Sequence, residues 1–153
     1  MNRTKRIILL SILIVIIIFI GIKLLPDEKK RLIRDINNLK YSVEKEYKVM
    51  ILNYIDKTYK DDNGLDYESL ISIIDELLAT GDSINIMISG LKVAIDSVDK
   101  NRVFYASCSL GLRVIAKYEN ERVLVYGGVI QPASVRAYFK RMNSVYQIFS
   151  ARY

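Results

Sequence analysis

The chain has 153 residues, 51% hydrophobic and 26% charged, with a formal net charge of +6, no histidine and a single cysteine, Cys108. Without histidine there is no Ser-His-Asp or Cys-His catalysis and no His-ligated zinc or haem, and one cysteine excludes an internal disulfide or a cysteine metal cluster. The glycines form neither GxGxxG nor GxxxxGK, so no phosphate-cradling loop is written in the sequence.

Residues 1–6 are a short basic tail with Arg3, Lys5 and Arg6. Residues 7–25 then carry one charge, Lys23, and as a helix would span about 28 Å, the thickness of a bilayer's hydrocarbon core. This pattern predicts a single transmembrane helix anchored through Ile7, Leu10, Ile14, Ile18, Ile22 and Leu25. No small-residue cleavage site follows at Lys23-Leu24-Leu25-Pro26, which favours an uncleaved signal-anchor over a removed signal peptide. Basic residues flank both ends of the run, and the shortness of the tail places the following domain outside the cytoplasm.

Residues 27–60 read as a long amphipathic stalk helix. Leu32, Ile36, Leu39, Val43, Tyr47, Met50 and Tyr54 recur at spacings of three and four, and no Gly or Pro intervenes before Gly64. Strict heptads fail, because a frame set on Ile36 and Leu39 puts Glu46 and Asn53 in core positions.

Residues 61–153 are expected to form an α+β interaction domain. Asp61-Asp62-Asn63-Gly64 is a turn that faintly resembles a calcium loop, but with Gly64 at position 6 the first and last ligands become Tyr59 and Leu70. Neither is a carboxylate, so the segment reads as a helix-capping turn and no metal is expected. Asp66 can cap a second helix over 66–80. Residues 83–98 fit two patterns, the alternation of Ile84, Ile86 and Ile88 and a helical stripe from Ile84 to Val98, and the choice stays open.

Alternation along 102–118 marks a half-buried strand, with Phe104, Ala106, Cys108, Leu110 and Leu112 on one side, and Arg122–Ile130 returns as its partner in a hairpin of about 102–130. Pro132 is expected to open a last helix whose buried stripe is Val135, Phe139, Met142, Tyr146 and Phe149. Its polar face would carry Arg136, Lys140 and Arg141, the candidate interaction surface.

The charge is unevenly divided. The first 26 residues hold four basic residues and no acid, residues 61–100 hold two basic and nine acidic, and residues 101–153 hold eight basic and two acidic. The positive balance is therefore no argument for nucleic acid, and none is expected as a partner. Catalysis would have to use a Ser-Lys pair, with Ser107 or Ser109 and Lys92 or Lys117 as the available groups, and no spacing selects them. No cofactor is expected. Cys108 lies on the apolar side of its strand, where a thiol behaves as a small hydrophobe.

Together these readings predict a single-pass membrane-anchored interaction or scaffold protein rather than an enzyme. It would be a small subunit of a membrane or envelope-spanning assembly of secretion, pilus, division or virion type. Its partners would be the lipid bilayer, other membrane or envelope proteins, and its own copies. The chain lacks the Gly-Phe processing site and early glutamate of a type IV prepilin. The alternatives are a membrane-tethered ligand-binding regulator or sensor, for which an apolar pocket between sheet and helices would speak, and an anchored Ser-Lys hydrolase.

Overall fold

The Asp27 carboxylate accepts the Lys29 backbone N–H at 3.0 Å and caps helix α1, Glu28–Glu44. The computed structural model describes residues 27–153. The predicted anchor at 7–25 lies outside them, and among the described residues no helix is long and apolar enough to cross a membrane.

The expected stalk over 27–60 is not one helix. Glu46 adopts a left-handed conformation, φ 59°, and the N–H groups of Glu46 and Tyr47 turn back onto the carbonyls of Val43 and Ser42. This wrapped ending satisfies carbonyls that a continuing helix would have used and stops α1 at Glu44. It falls where the heptad frame placed a glutamate in the core. A short helix α2, Lys48–Leu52, follows. Tyr47 and Met50, read as members of the buried stripe, are 55% and 45% exposed.

Asp66 accepts the Ser69 N–H at 2.9 Å and caps α3, Tyr67–Thr80. Beyond it the protein is a twisted antiparallel sheet of five strands: β1 Asp82–Val98, β2 Phe104–Tyr118, β3 Glu121–Tyr126, β4 Ala133–Arg141 and β5 Gln147–Arg152. The ambiguous segment 83–98 is thus a strand, bulged between Ser89 and Lys92, where Gly90 takes φ 60°.

The predicted C-terminal helix is also overturned. Residues 133–141 pair with β2 in the register Phe104↔Arg141 through Leu112↔Ala133. The reason lies in β2. On one edge it meets β1; on the other, β3 reaches only Val114–Tyr118, so the peptide groups of residues 104–112 would have no partner. β4 fills that vacancy, and β5 extends the sheet beyond it. Met142, assigned to the helix's buried stripe, is 68% exposed. The architecture is mostly antiparallel sheet with a few short helices, in place of an α+β domain on a helical stalk.

The helices lie across one face of the sheet. Leu32 and Ile36 of α1 share a core with Ala106, Cys108, Ala137, Phe139 and Tyr146, while Ile51, Ile55 and Tyr59 form a second cluster against Leu70, Ile74, Leu78 and Ile148. Buried Asp35 accepts the Tyr146 N–H at 3.0 Å, and the Tyr146 hydroxyl donates to Glu28 at 2.8 Å. Burial, reinforced by that bond to Glu28, pushes the Tyr146 phenol up to about 12. After α2 the chain runs beside β5, with the Ile148 N–H donating to the Tyr54 carbonyl and the Asp56 N–H to the Ile148 carbonyl. At the end of α1, Glu44 accepts from the Lys40 ammonium and from the Ile86 N–H at 2.9 Å, which ties the helix to β1.

Two outcomes test this arrangement. Glu46→Gly should raise the unfolding free energy by about 0.5–1 kcal/mol in a urea titration, because glycine relieves the left-handed strain. In an unbroken stalk helix the same change would lower it by about 1 kcal/mol. Partial burial works to raise the Glu44 carboxyl, but the bonds from Lys40 and Ile86 outweigh it and hold the group below its ordinary value of 4.5. A carboxyl depressed on folding stabilises fully above its unfolded value and loses that contribution as pH falls through the folded one. The urea midpoint of the wild type should therefore drop below pH 4.5, and that of Glu44→Gln should drop less; equal drops would remove the Glu44 tie as a source of acid sensitivity.

Candidate ligand-binding cavity

The two apolar clusters do not close on each other. Between them lies a cavity of about 310 Å³, roofed by the helices and floored by the sheet. α1 contributes Ile36, Leu39, Lys40 and Val43, and α3 contributes Leu70, Ile74, Leu77 and Leu78. The floor is Ile86 and Ile88 of β1, Cys108, Leu110 and Leu112 of β2, and Val135, Ala137 and Phe139 of β4.

Local sequence explains why space remains. The floor's centre is small: Cys108 stands opposite Ala137, where larger residues would have met the helices. Not one residue of α3 is fully buried, although Leu70, Ile74, Leu77 and Leu78 face the interior. An amphipathic helix normally buries its stripe against a partner surface. Here the stripe covers a void.

The wall is almost wholly hydrocarbon. Its polar groups are Lys40, Tyr59 and Cys108. Lys40 is held by Glu44 at 2.8 Å and so presents a neutralised pair at the cavity's edge. Burial, with the nearby charge of Asp61 and the Tyr153 phenol, pushes the Tyr59 phenol up to about 12. Burial also raises the Cys108 thiol, only partly offset by its hydrogen bond with Ala137. At neutral pH both remain protonated, so neither serves as a ready base or nucleophile. The sequence held one signal for the cavity, the crowd of apolar positions on α1, α3 and the inner face of β2. Lys40 was missed because it sits beside Leu39 on what read as the stalk's solvated flank.

The residues singled out from sequence are dispersed. Arg136 is exposed on the sheet's open face, away from the helices. Lys140 shares that face and is paired with Asp56 at 2.9 Å. Arg141 points the other way, is 8% exposed, pairs with Glu28 at 2.8 Å and stacks 4.3 Å from the Phe104 ring. A strand sends neighbouring residues to opposite faces, so the three do not form the single surface a helix would have made. Lys92 stands opposite Ser109, also on the open face and outside the cavity. The Ser107 hydroxyl donates to Asp96 at 3.2 Å. In the turn of 61–64, Asp61 accepts from the N–H groups of Asn63 and Leu65 and, at 2.6 Å, from the Tyr153 hydroxyl. Its oxygens organise the loop.

No protein-family profile matches the chain, and no curated protein is similar to it in sequence. Its fold is nevertheless shared with solved structures. A protein of Streptomyces avermitilis provisionally named a dehydratase of the NTF2-like family matches with TM-score 0.61 at 9% identity, over 80% of this chain and 92% of that one. A provisionally named aromatic ring hydroxylase of Novosphingobium aromaticivorans matches with TM-score 0.59 at 9% identity, over 79% of this chain and 83% of that one. The helical cell shape determining protein Pgp2 of Campylobacter jejuni (K307A mutant) matches with TM-score 0.55 at 12% identity; 77% of this chain is covered, and it spans only 38% of that protein.

At such identities the likeness concerns fold alone. It still corrects the expectation of a membrane scaffold. The described residues make an antiparallel sheet with a cavity between it and the helices, an arrangement similar in fold to the protein named as NTF2-like, not a stalk carrying an interaction platform. The single-pass, signal-anchor and extracytoplasmic assignments rested on residues 7–25 and the stalk. The first lie outside the described residues and the second is not one helix. Because proteins bearing enzyme names share the fold, the fold gives no support to the expectation, drawn from the lack of catalytic motifs, that this chain is not an enzyme. What the described residues share with these proteins is the fold.

Proposed function

We propose that the domain binds an apolar small molecule in the cavity between α1, α3 and the sheet. The observation that carries this reading is the cavity's lining, almost wholly hydrocarbon, with the Lys40–Glu44 pair at its edge. Ligand sites are typically concave, largely apolar and equipped with a few polar groups. A volume of about 310 Å³ stands at the small end of that class. α3 supports the reading from another side: its apolar stripe is only partly buried, and a ligand beneath it would complete that burial.

An enzymatic role is the second reading, favoured by neighbours named as a dehydratase and a ring hydroxylase. Loss of water from a substrate calls for a group that takes or gives a proton near neutral pH. The phenol of Tyr59 and the thiol of Cys108 are both shifted the wrong way for a base. Binding is therefore the better account of the wall.

The test is a homologous series of straight-chain alcohols followed by calorimetry. Affinity should rise about fourfold with each added methylene, as ~0.8 kcal/mol of transfer free energy per buried CH₂ requires, and level off when the cavity is full. Ala137→Leu on the floor and Leu77→Phe on α3 should each shorten the optimal chain while leaving the fold intact. Affinities that do not depend on chain length, or an optimum unmoved by both substitutions, would overturn the proposal.

A further inference from the structure

A second concavity, of about 630 Å³, lies where β1 begins, β2 ends and β3 begins. Its chemistry is the opposite of the apolar cavity's. The polar groups that line it are Ser83, Asn85, Lys117, Asn120 and Arg122, and it contains no carboxylate. We propose that this cleft is a binding site for a phosphate group, free or carried as a monoester on a larger molecule.

A tight hairpin joins β2 to β3. Glu119 and Asn120 both take positive φ, 48° and 70°, the two-residue turn whose twist matches paired strands. That turn sets the register, and the register places Lys117 directly opposite Arg122. Side chains opposite each other lie on one face within about 5.5 Å at Cβ, and like charges so placed destabilise the sheet. Neither residue is in an ion pair among those the described residues make.

Nearby acids do not resolve the conflict. Asp82 faces Lys117 from β1, yet it is exposed and its carboxylate accepts from the Ser83 hydroxyl at 3.5 Å. Glu121 is opposite Tyr118, one position off in the ladder and so on the other face. On the Lys117 side, the next-but-one pleat adds a further cation, Arg113.

An oxyanion answers each of these features. Arg122 offers a planar fork of N–H donors and Lys117 a compact point charge, the two complementary ways proteins hold phosphate. The Asn85 and Asn120 amides also line the cleft and carry N–H donors for the remaining oxygens. The cleft is larger than an inorganic ion requires, which leaves room for the rest of a monoester. The site faces away from the apolar cavity and does not depend on it.

The experiment uses the full chain at constant ionic strength, with inorganic phosphate and phenyl phosphate as probes and chloride as the control. Both probes should raise the melting temperature and bind by calorimetry with millimolar or better affinity. Phenyl phosphate binding more tightly would assign the site to monoesters, and equal binding would assign it to free phosphate. Lys117→Met should weaken binding about tenfold, the loss of one charge-assisted contact. Lys117→Glu should go further: it places a carboxylate in the cleft, between Asp82 and Arg122, so the variant should respond to phosphate not at all. No response of the wild type to either probe beyond that to chloride would overturn the proposal. So would a response that Lys117→Met and Lys117→Glu both leave unchanged.

Discussion

Everything in this fold depends on satisfying both edges of β2. A 15-residue strand exposes two rows of peptide groups, and a buried row without partners is among the costliest features a protein can carry. One edge is met by β1 alone; the other needs β3 and β4 laid end to end. That division forces the chain to leave the hairpin, cross at residues 127–132 and return. The crossing needs a glycine: at Gly127, φ is 91° and a Cβ would lie 2.6 Å from the Leu112 carbonyl oxygen. Once β4 is in place, its inner residues Val135, Ala137 and Phe139 become the floor over which the helices settle.

The same constraint explains what could be read from sequence and what could not. β2 was legible because its two faces differ in chemistry, apolar from Phe104 to Leu112 and polar or small from Tyr105 to Arg113. The cap at Asp66 was legible because an Asn-Gly turn and a capping carboxylate act locally. β4 was not. Val135, Phe139, Met142, Tyr146 and Phe149 fit a helix, and nothing local says that Phe104–Leu112 will have a vacant edge nearly thirty residues away. The pairing that decides the matter is tertiary, and propensity yields to it. The break at Glu46 failed for a related reason. Glutamate is a good helix former, and it enters the left-handed region here because Ile51, Ile55 and Tyr59 must reach the sheet.

The cavity was half legible. The apolar residues that line it were visible as stripes, but a stripe looks the same whether it meets a neighbour or a void. What decides is the size of the residues on the opposite wall, Cys108 and Ala137, and whether α3 can come down onto them. Charges expected on one helix face divide between two faces of a strand, and the apolar groups expected to be filler become the wall of a site.

The bonds from Tyr146 to Asp35 and Glu28 join residues 111 and 118 positions apart, and the strip after α2 is pinned by Ile148. Loops of that length close slowly, because the entropy of bringing the ends together is spent before the contact returns anything. On a ribosome α1 and α2 would emerge long before their partners in β4 and β5, with Leu32, Ile36 and Ile51 uncovered for as long as synthesis takes to reach residue 148. Maturation of this domain is therefore a late event, completed from the far end of the chain. A destabilised β5 would be felt first as nascent chains lost to aggregation, before any change in the finished protein became measurable.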